Sequence, residues 1–516
     1  MKLFYLNNLL NEFLNMKINK KKILSKIAIK NSFYNFSSTI IAKFGGFILT
    51  IILARALLPE LFGVYSLVLS IAVIIFSFTD LGISQTTVKF VSEFLGKNKK
   101  IKAFSYFWYF LKIETILIFF GAIILLSLSH VLANNIFNKP EIFLPLLFAI
   151  LFIIVNSFRS FFGVIFSALN DLATTPLIYF ILHSTKIIFS LIILSMFSGI
   201  AAVSAVFMAF AASSFVSLIS IIIILKIKKI NLFFKKRTHI SSKPALKYLS
   251  FMSIALVSLV IFGAVDIFML GIFVDSLYIG YYQAAFSLVV SLVAIFSILS
   301  GVLFPIFTQI YGNRLKRALL KPLRYTIIIS MPAVIGLIFI AQYLVPLLFG
   351  IEYFPTISVL YILSFLILIT PLINLYSNLF KAKNKAKTIA LITIISLAIN
   401  ILLNYIFITN LLHFGQNFAI LGAAAATLIS RIFYLFIILI NTKKHFEIKI
   451  PKNLIIKPLF ATIIMAMVLF AYNIYININI ITLILEIILG IVVYFITMFF
   501  IKGINKEDFD LVKLFF

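Results

Sequence analysis

Cysteine is absent from the 516 residues. Disulfides, thiolate metal sites and thiol nucleophiles are therefore excluded. Charge is scarce: only 11% of residues are Asp, Glu, Lys or Arg, against about 25% in soluble domains. Acid is scarcest, with 15 Asp and Glu against 44 Lys and Arg, a net charge of +29. The five histidines (His130, His183, His239, His413 and His445) are scattered, and no H-E-x-x-H pair occurs, so no metal site is expected. No G-x-x-x-x-G-K-[ST] loop is present, which argues against ATP hydrolysis by this chain. No catalytic constellation stands out, and no cofactor is expected. Asp508-Phe509-Asp510 has the D-x-D spacing of some glycosyltransferases, but it lies in a short tail and reads as solvated surface.

What is abundant is apolar: 63% of residues are hydrophobic, and mean hydropathy is +1.18. A soluble multidomain enzyme and a single-anchor protein are both excluded. A β-barrel would show short alternating segments instead of long apolar runs. The composition predicts an all-α integral membrane protein.

A helix needs about 20 apolar residues to cross the hydrocarbon core, and runs of that size give about fourteen spans. Their expected positions are 33–57, 61–83, 104–129, 142–168, 176–197, 200–226, 248–273, 279–304, 324–348, 354–379, 387–411, 417–440, 455–474 and 479–501. The connecting segments alternate in charge. One set carries Lys17 to Lys30, Lys97 to Lys102, Lys226 to Lys247, Arg314 to Lys321, Lys381 to Lys387 and Lys443 to Lys457. The other holds little beyond Glu60, Lys139, Glu141, Asp275 and Glu352. The positive-inside rule puts the first set, and both termini, in the cytoplasm. The cations sit in short loops with no folded domain behind them. Attraction to anionic lipid headgroups follows, and nucleic-acid binding does not. Residues 1–32 form a basic cytoplasmic segment, in which 3–14 read as an interfacial helix. The apolar run after them lacks a small-x-small cleavage site and reads as a retained first span.

The chain also matches itself at an offset of 217 residues: Phe62-Gly63-Val64-Tyr65 falls on Ile279-Gly280-Tyr281-Tyr282, and Lys97, Lys99 and Lys100 fall on Arg314, Lys316 and Arg317. Six spans per repeat is an even number, so the halves share orientation. This predicts two six-helix lobes related by pseudo-two-fold symmetry, 33–230 and 248–440, joined by a basic linker, 231–247. Spans 13 and 14 (455–501) and a tail (502–516) follow as appendages. Gly63 and Gly280 are expected to let helices meet closely.

Several stretches resemble one family. Leu53-Ala54-Arg55, Pro59-Glu60 and Phe62-Gly63-x-Tyr65 resemble the LAR…GPE-FG-Y segment of polysaccharide biosynthesis proteins. These are the Wzx-type O-antigen flippases of the multidrug/oligosaccharidyl-lipid/polysaccharide exporter superfamily. Asp80-Leu81-Gly82 is similar to the DLG ending span 2 there. Gly280-x-Tyr282 and Pro305 fit the start and end of span 8. Leu379 to Lys387 is similar to the L-A-GK loop, and Asn400, Asn404 and Leu421 to Thr427 to the N…G-GAA-AT of spans 11 and 12. The chain departs at Leu58, where the family often has glycine. The resemblance implies two six-helix lobes around a central cavity. It also implies transport, not catalysis, of a polyprenyl-diphosphate-linked oligosaccharide across the cell membrane. Its partners would be that substrate, membrane lipids and glycan polymerases or glycosyltransferases.

Charges inside spans are expensive and need a reason. Lys43 lies about ten residues into span 1, roughly 15 Å deep. Lys186 in span 5 is similarly deep, and Arg159 and Arg431 lie in the inner halves of spans 4 and 12. Lys43, Arg159 and Lys186 are expected to form a cationic cavity that attracts the carrier's diphosphate; snorkelling or structural ion pairs are the plainer reading. Lys112 is expected to snorkel, and Arg55 to be structural. Of the buried carboxylates, Asp266 would bind a coupling Na⁺ or H⁺, or pair with a cation across the lobes. Asp80 and Glu114, which enters span 3 beside Lys112, are also candidates for ion coupling or gating, with helix capping the plainer role for Asp80, and Glu486 lies outside the core. Gln283, Asn374, Asn378, Asn400 and Asn404 would bond a sugar or a neighbouring helix. Two alternatives to the flippase remain: an ion-coupled exporter of small molecules, and a membrane polymerase or glycosyltransferase. An enzyme should carry a large outer loop, and none here exceeds about 15 residues, far below an independent domain.

Overall fold

The structure is a computed structural model that describes residues 2–232, 240–297, 300, 303–448, 451–476 and 479–504. Among the described residues all regular structure is helical. Thirteen helices among the described residues are long and apolar enough to cross a membrane. The first of these, Phe36–Gly96, is 61 residues long. It is bent at Leu58, with Pro59 inside the bend, so two helices meet there. Splitting it gives fourteen crossings: spans 1 and 2 either side of Leu58, then Lys100–Val131, Phe143–Ala168, Thr175–Met196, Gly199–Ile227, Ser242–Phe273 and Ser276–Phe296 as spans 3 to 8. Gly312–Phe349, Thr356–Ala382, Ala386–Leu412, Gln416–Phe446, Asn453–Tyr475 and Ile480–Phe500 are spans 9 to 14.

Several helices differ from their expected bounds. Span 7 starts early, because Ala245 and Leu249 are buried against the first lobe. Span 8 stops at Phe296, and Pro305 instead opens a short separate helix, Phe304–Gln309. Span 9 begins at Gly312, carrying Arg314 to Lys321 on a helical extension. Span 10 breaks between Leu363 and Leu366. The Lys235-Lys236-Arg237 run and Asp508-Phe509-Asp510 lie outside the described residues. The linker's described ends are held to span 3, where Trp108 Nε1 donates to the Leu232 carbonyl at 2.8 Å and Tyr106 Oη to that of Ser241 at 3.0 Å.

The buried apolar residues divide in a way that defines the architecture. One core runs through both lobes at the end away from the basic loops; it includes Leu53, Phe62, Leu146 and Phe207 from the first lobe and Leu270, Tyr282, Val345 and Tyr353 from the second. At the basic end there are two cores, one around Phe90, Phe107 and Phe166 that also takes in Ala245 and Leu249 at the start of span 7, the other around Leu319, Tyr376 and Phe380 of the second lobe. The lobes thus share one core on the low-charge side, and on the basic side they meet through the start of span 7. Spans 13 and 14 pack on span 9 through Met465, Leu469 and Tyr494, whose hydroxyl donates to the Ile328 carbonyl at 2.8 Å.

Leu58, the departure from the family pattern, has φ 60° and ψ 168°. That region is essentially reserved for glycine, and a side chain there costs about 1–3 kcal/mol. Leu58→Gly is expected to raise the midpoint of thermal unfolding in detergent by a few degrees. A lowered midpoint would show that the leucine side chain contributes more than its backbone strain costs.

Candidate functional site

The two lobes meet where the sequence repeats. A methyl group on Gly63 would lie 1.7 Å from the Ser276 carbonyl oxygen, and one on Gly280 would lie 2.0 Å from the Pro59 carbonyl oxygen. Pro59 and Ser276 are separated by the same 217 residues as Gly63 and Gly280. The two contacts are therefore equivalents across the pseudo-two-fold axis. Only a hydrogen in place of Cβ permits this backbone approach.

Other groups seal the same face. Arg55 Nε donates to the Leu348 carbonyl at 2.8 Å, and its guanidinium also reaches the Leu347 carbonyl. Lys139 Nζ donates to the Gly271 carbonyl at 2.7 Å. Both carbonyl sets lie at helix C-termini, where the backbone lacks partners and favours cations. Burial holds Lys139 below the usual lysine range, while Glu141 and Asp275 pull it back up. Tyr353 Oη donates to the Ala54 carbonyl at 2.8 Å, and Ser276 Oγ to Glu141 at 3.1 Å. At the basic end, Ser253 Oγ donates to the Leu81 carbonyl at 2.7 Å, linking spans 2 and 7.

Below this seal lies a cavity of about 300 Å³ between the lobes. Span 1 contributes Lys43, Gly46 and Phe47, span 5 contributes His183 and Lys186, and span 8 contributes Gln283, Phe286, Ser287 and Ser291. Spans 1 and 5 meet closely because Gly45 lacks a side chain; a methyl there would lie 2.7 Å from His183 Cβ. That approach brings Lys43 and Lys186 to one cavity. Lys186 Nζ stands 4.5 Å from the Phe210 ring centre and 5.1 Å from that of Phe152, a cation–π setting. Neither lysine has a hydrogen-bond or ion-pair partner among the described residues. Arg159 is not on this cavity wall. Its Nε donates to Asn156 Oδ1 at 3.0 Å, and its charge is felt at Lys186 and His183. The sequence reading missed His183, because a lone histidine in an apolar span carries no pattern. Its Nδ1 is buried without a partner.

The second lobe holds a different cluster. Asp266 is 4% exposed. Its Oδ2 accepts from Thr427 Oγ1 at 2.6 Å and Tyr282 Oη at 2.9 Å, and its Oδ1 from Asn404 Nδ2 at 2.8 Å and Asn400 Nδ2 at 3.4 Å. Asn400 Oδ1 and Asn404 Oδ1 are left buried without donors. Arg431 of the same lobe is a cation near Asp266. Arg431 itself stacks 3.8 Å from the Phe262 ring centre.

The remaining carboxylates are placed as follows. Asp80 Oδ1 accepts from the Ser84 N–H at 2.9 Å, capping the helix that follows the Leu81-Gly82 break. Glu114 is 1% exposed, its Oε2 has no partner, and the charge of Asp80 reaches it. Glu486 is fully buried and lines an apolar cavity of about 600 Å³ between spans 9 and 14 that also reaches Phe47. Lys112 is exposed on span 3 in a surface pocket with Ser105, Trp108, Tyr109 and Thr115.

A family model described as "Polysaccharide biosynthesis protein" matches residues 28–311. The chain is 22% identical over 299 residues to a probable low-salt glycan biosynthesis flippase, Agl15, of Haloferax volcanii. That alignment covers 55% of this chain and 60% of the archaeal protein, so the chain spans less than two thirds of that relative. Among solved structures, the lipid II flippase MurJ in an inward closed conformation superposes with a TM-score of 0.73 at 20% identity, covering 92% of this chain and 99% of that one. An outward-facing multidrug resistance MATE family transporter of the MOP superfamily gives 0.58 at 15% identity, covering 81% and 96%. The fold is therefore that of this group: a multi-pass membrane protein of two six-helix lobes with two further helices.

Proposed function

Because the chain belongs to the polysaccharide biosynthesis protein family, we propose that it carries a polyprenyl-diphosphate-linked oligosaccharide from the inner to the outer leaflet of the cytoplasmic membrane. The observation behind this reading is the pair of unpartnered cations, Lys43 and Lys186, on a cavity between the lobes, with Arg159 close by. Uncompensated cations at membrane depth are costly. A diphosphate entering from the basic side would neutralise them, as lysine suits phosphate as a point charge and arginine by its planar fork.

Alternating access supplies the movement. The lobes 33–230 and 248–440 rock about their shared axis. In the present state the low-charge face is sealed by Gly63, Gly280, Arg55 and Lys139, while on the basic side the lobes meet through the start of span 7, at Ala245, Leu249 and Ser253. Export requires the seal to open and the basic side to close. The substrate would come from a glycosyltransferase and pass to a polymerase or transferase. Fold likeness alone stands behind the drug-exporter alternative.

The orientation follows from the loop charges. Reporter fusions after Lys100 and Lys236 are expected to read cytoplasmic, and one after Lys139 external; reversal at two of the three would sink this topology.

Asp266 is our proposed coupling site. The carboxylate and the two donor-free amide oxygens of Asn400 and Asn404 offer oxygen ligands to a small hard cation. A proton on Asp266 would equally turn it into a donor to one of them. Asp266→Asn is expected to cut transport about tenfold, one coupling interaction's worth, and to remove its response to an imposed Na⁺ or pH gradient in vesicles. A variant that still follows the gradient would place coupling elsewhere.

A further inference from the structure

The cavity has two unlike walls. The first-lobe wall carries Lys43, His183 and Lys186, whereas the second-lobe wall, all from span 8, has no ionisable group and presents Gln283, Phe286, Ser287, Val290 and Ser291. Gln283, Ser287 and Ser291 recur every four residues, so one helix face carries all three. A lipid-linked glycan is unlike at its two ends in the same way, with charge on the diphosphate and hydroxyls on the first sugar. We propose that span 8 reads the sugar next to the diphosphate, with Gln283 as its principal hydrogen-bonding residue.

The other amides are committed. Asn374 Nδ2 donates to Ser297 Oγ at 3.0 Å, Asn378 Nδ2 to the Ser300 carbonyl at 2.9 Å, and Asn400 and Asn404 serve Asp266. Gln283 differs in lining the cavity between the lobes, and its Oε1 is buried without a donor. A buried acceptor left unmet costs about 1–3 kcal/mol, and a sugar hydroxyl would meet it. Ser287 Oγ donates to the Ala284 carbonyl at 3.0 Å and Ser291 Oγ to that of Ser287 at 2.7 Å. Each hydroxyl has its proton occupied and its lone pairs free, so both are acceptors for sugar O–H groups. The Phe286 ring, on the same wall, offers a flat apolar surface to the sugar's C–H face. The substrate thus lies across the lobe interface, with phosphate on one lobe and sugar on the other.

This assignment rests on the flippase reading, and binding measurements separate the two. The purified protein in lipid nanodiscs is titrated with undecaprenyl diphosphate and with undecaprenyl diphosphate bearing glucose, galactose or N-acetylglucosamine. The native chain is expected to bind one sugar-bearing probe at least about tenfold more tightly than the bare diphosphate. Gln283→Leu removes that preference and leaves affinity for the bare diphosphate unchanged, which also shows that the variant is folded. Lys186→Ala weakens all four probes alike. If Gln283→Leu weakens bare and sugar-bearing probes equally, or if the native chain prefers no sugar, span 8 does not read the glycan and the flippase reading stands. If the native chain binds none of the four, both readings fall.

Discussion

Gly63→Ala is expected to abolish export while leaving the protein in the membrane. The added methyl would sit 1.7 Å from the Ser276 carbonyl oxygen, on backbone that cannot rotate away as a side chain could. Overpacking of rigid sites costs about 1–3 kcal/mol, and 3 kcal/mol shifts a two-state equilibrium by more than 100-fold. The cost falls only on the state with the low-charge face sealed. The variant should therefore rest open on that side. Gly280→Ala meets the Pro59 carbonyl and should behave alike, because the two contacts are symmetry equivalents. Gly263 has open space at its Cβ position, so Gly263→Ala is the tolerated control. The cysteine-free chain supplies the readout. Ala54 is fully buried in the seal, so Ala54→Cys should resist a membrane-impermeant maleimide in the native background and react in Gly63→Ala. If Gly63→Ala exports normally and Ala54→Cys stays protected, this contact has no part in the cycle.

The second large effect belongs to the cavity. Lys43→Ala, Arg159→Ala and Lys186→Ala are each expected to lower export by about tenfold or more, since a hydrogen bond to a charged group is worth about 1.5–3 kcal/mol. Membrane levels of the two lysine variants should be unchanged, because neither lysine has a hydrogen-bond or ion-pair partner to lose among the described residues, whereas Arg159→Ala also gives up the bond to Asn156. Lys112→Ala, on an exposed surface of span 3 away from the cavity, should be close to normal. Normal glycan export from all three cation variants would end the cationic-cavity account. The flippase reading would outlast it.

Much of the architecture was legible in the chain because the bilayer imposes a length rule. Long apolar runs must be helices, and loop charge alternates with them. The 217-residue offset marked Gly63 and Gly280 as a pair, but it did not say that each touches the other's repeat; that is a property of the lobe interface. Helix ends were less legible. Gly312 to Leu320 is polar enough to read as a loop, yet it continues span 9 as a helix, and the early start of span 7 comes from its packing on the first lobe. Lys43 and Lys186 stood out because charge inside a span is rare. That they share a cavity and Arg159 stands behind it depends on Gly45, whose meaning appears only against His183. Asp266 was conspicuous for the same reason, but its four hydrogen-bond donors come from spans 8, 11 and 12, too far apart in sequence to be grouped by spacing. Glu486 looked peripheral because spans 13 and 14 follow the repeats; their packing on span 9 buries it.

The most direct test of the central claim is to deplete the protein from its cell and determine which sugar-bearing lipid accumulates, and in which leaflet. The account predicts a build-up of a complete polyprenyl-diphosphate-linked oligosaccharide on the cytoplasmic side, protected from an external glycosidase in intact cells, and loss of the mature glycan outside. Depletion that leaves lipid-linked sugars unchanged, or that accumulates truncated glycans instead of a finished one, would contradict it.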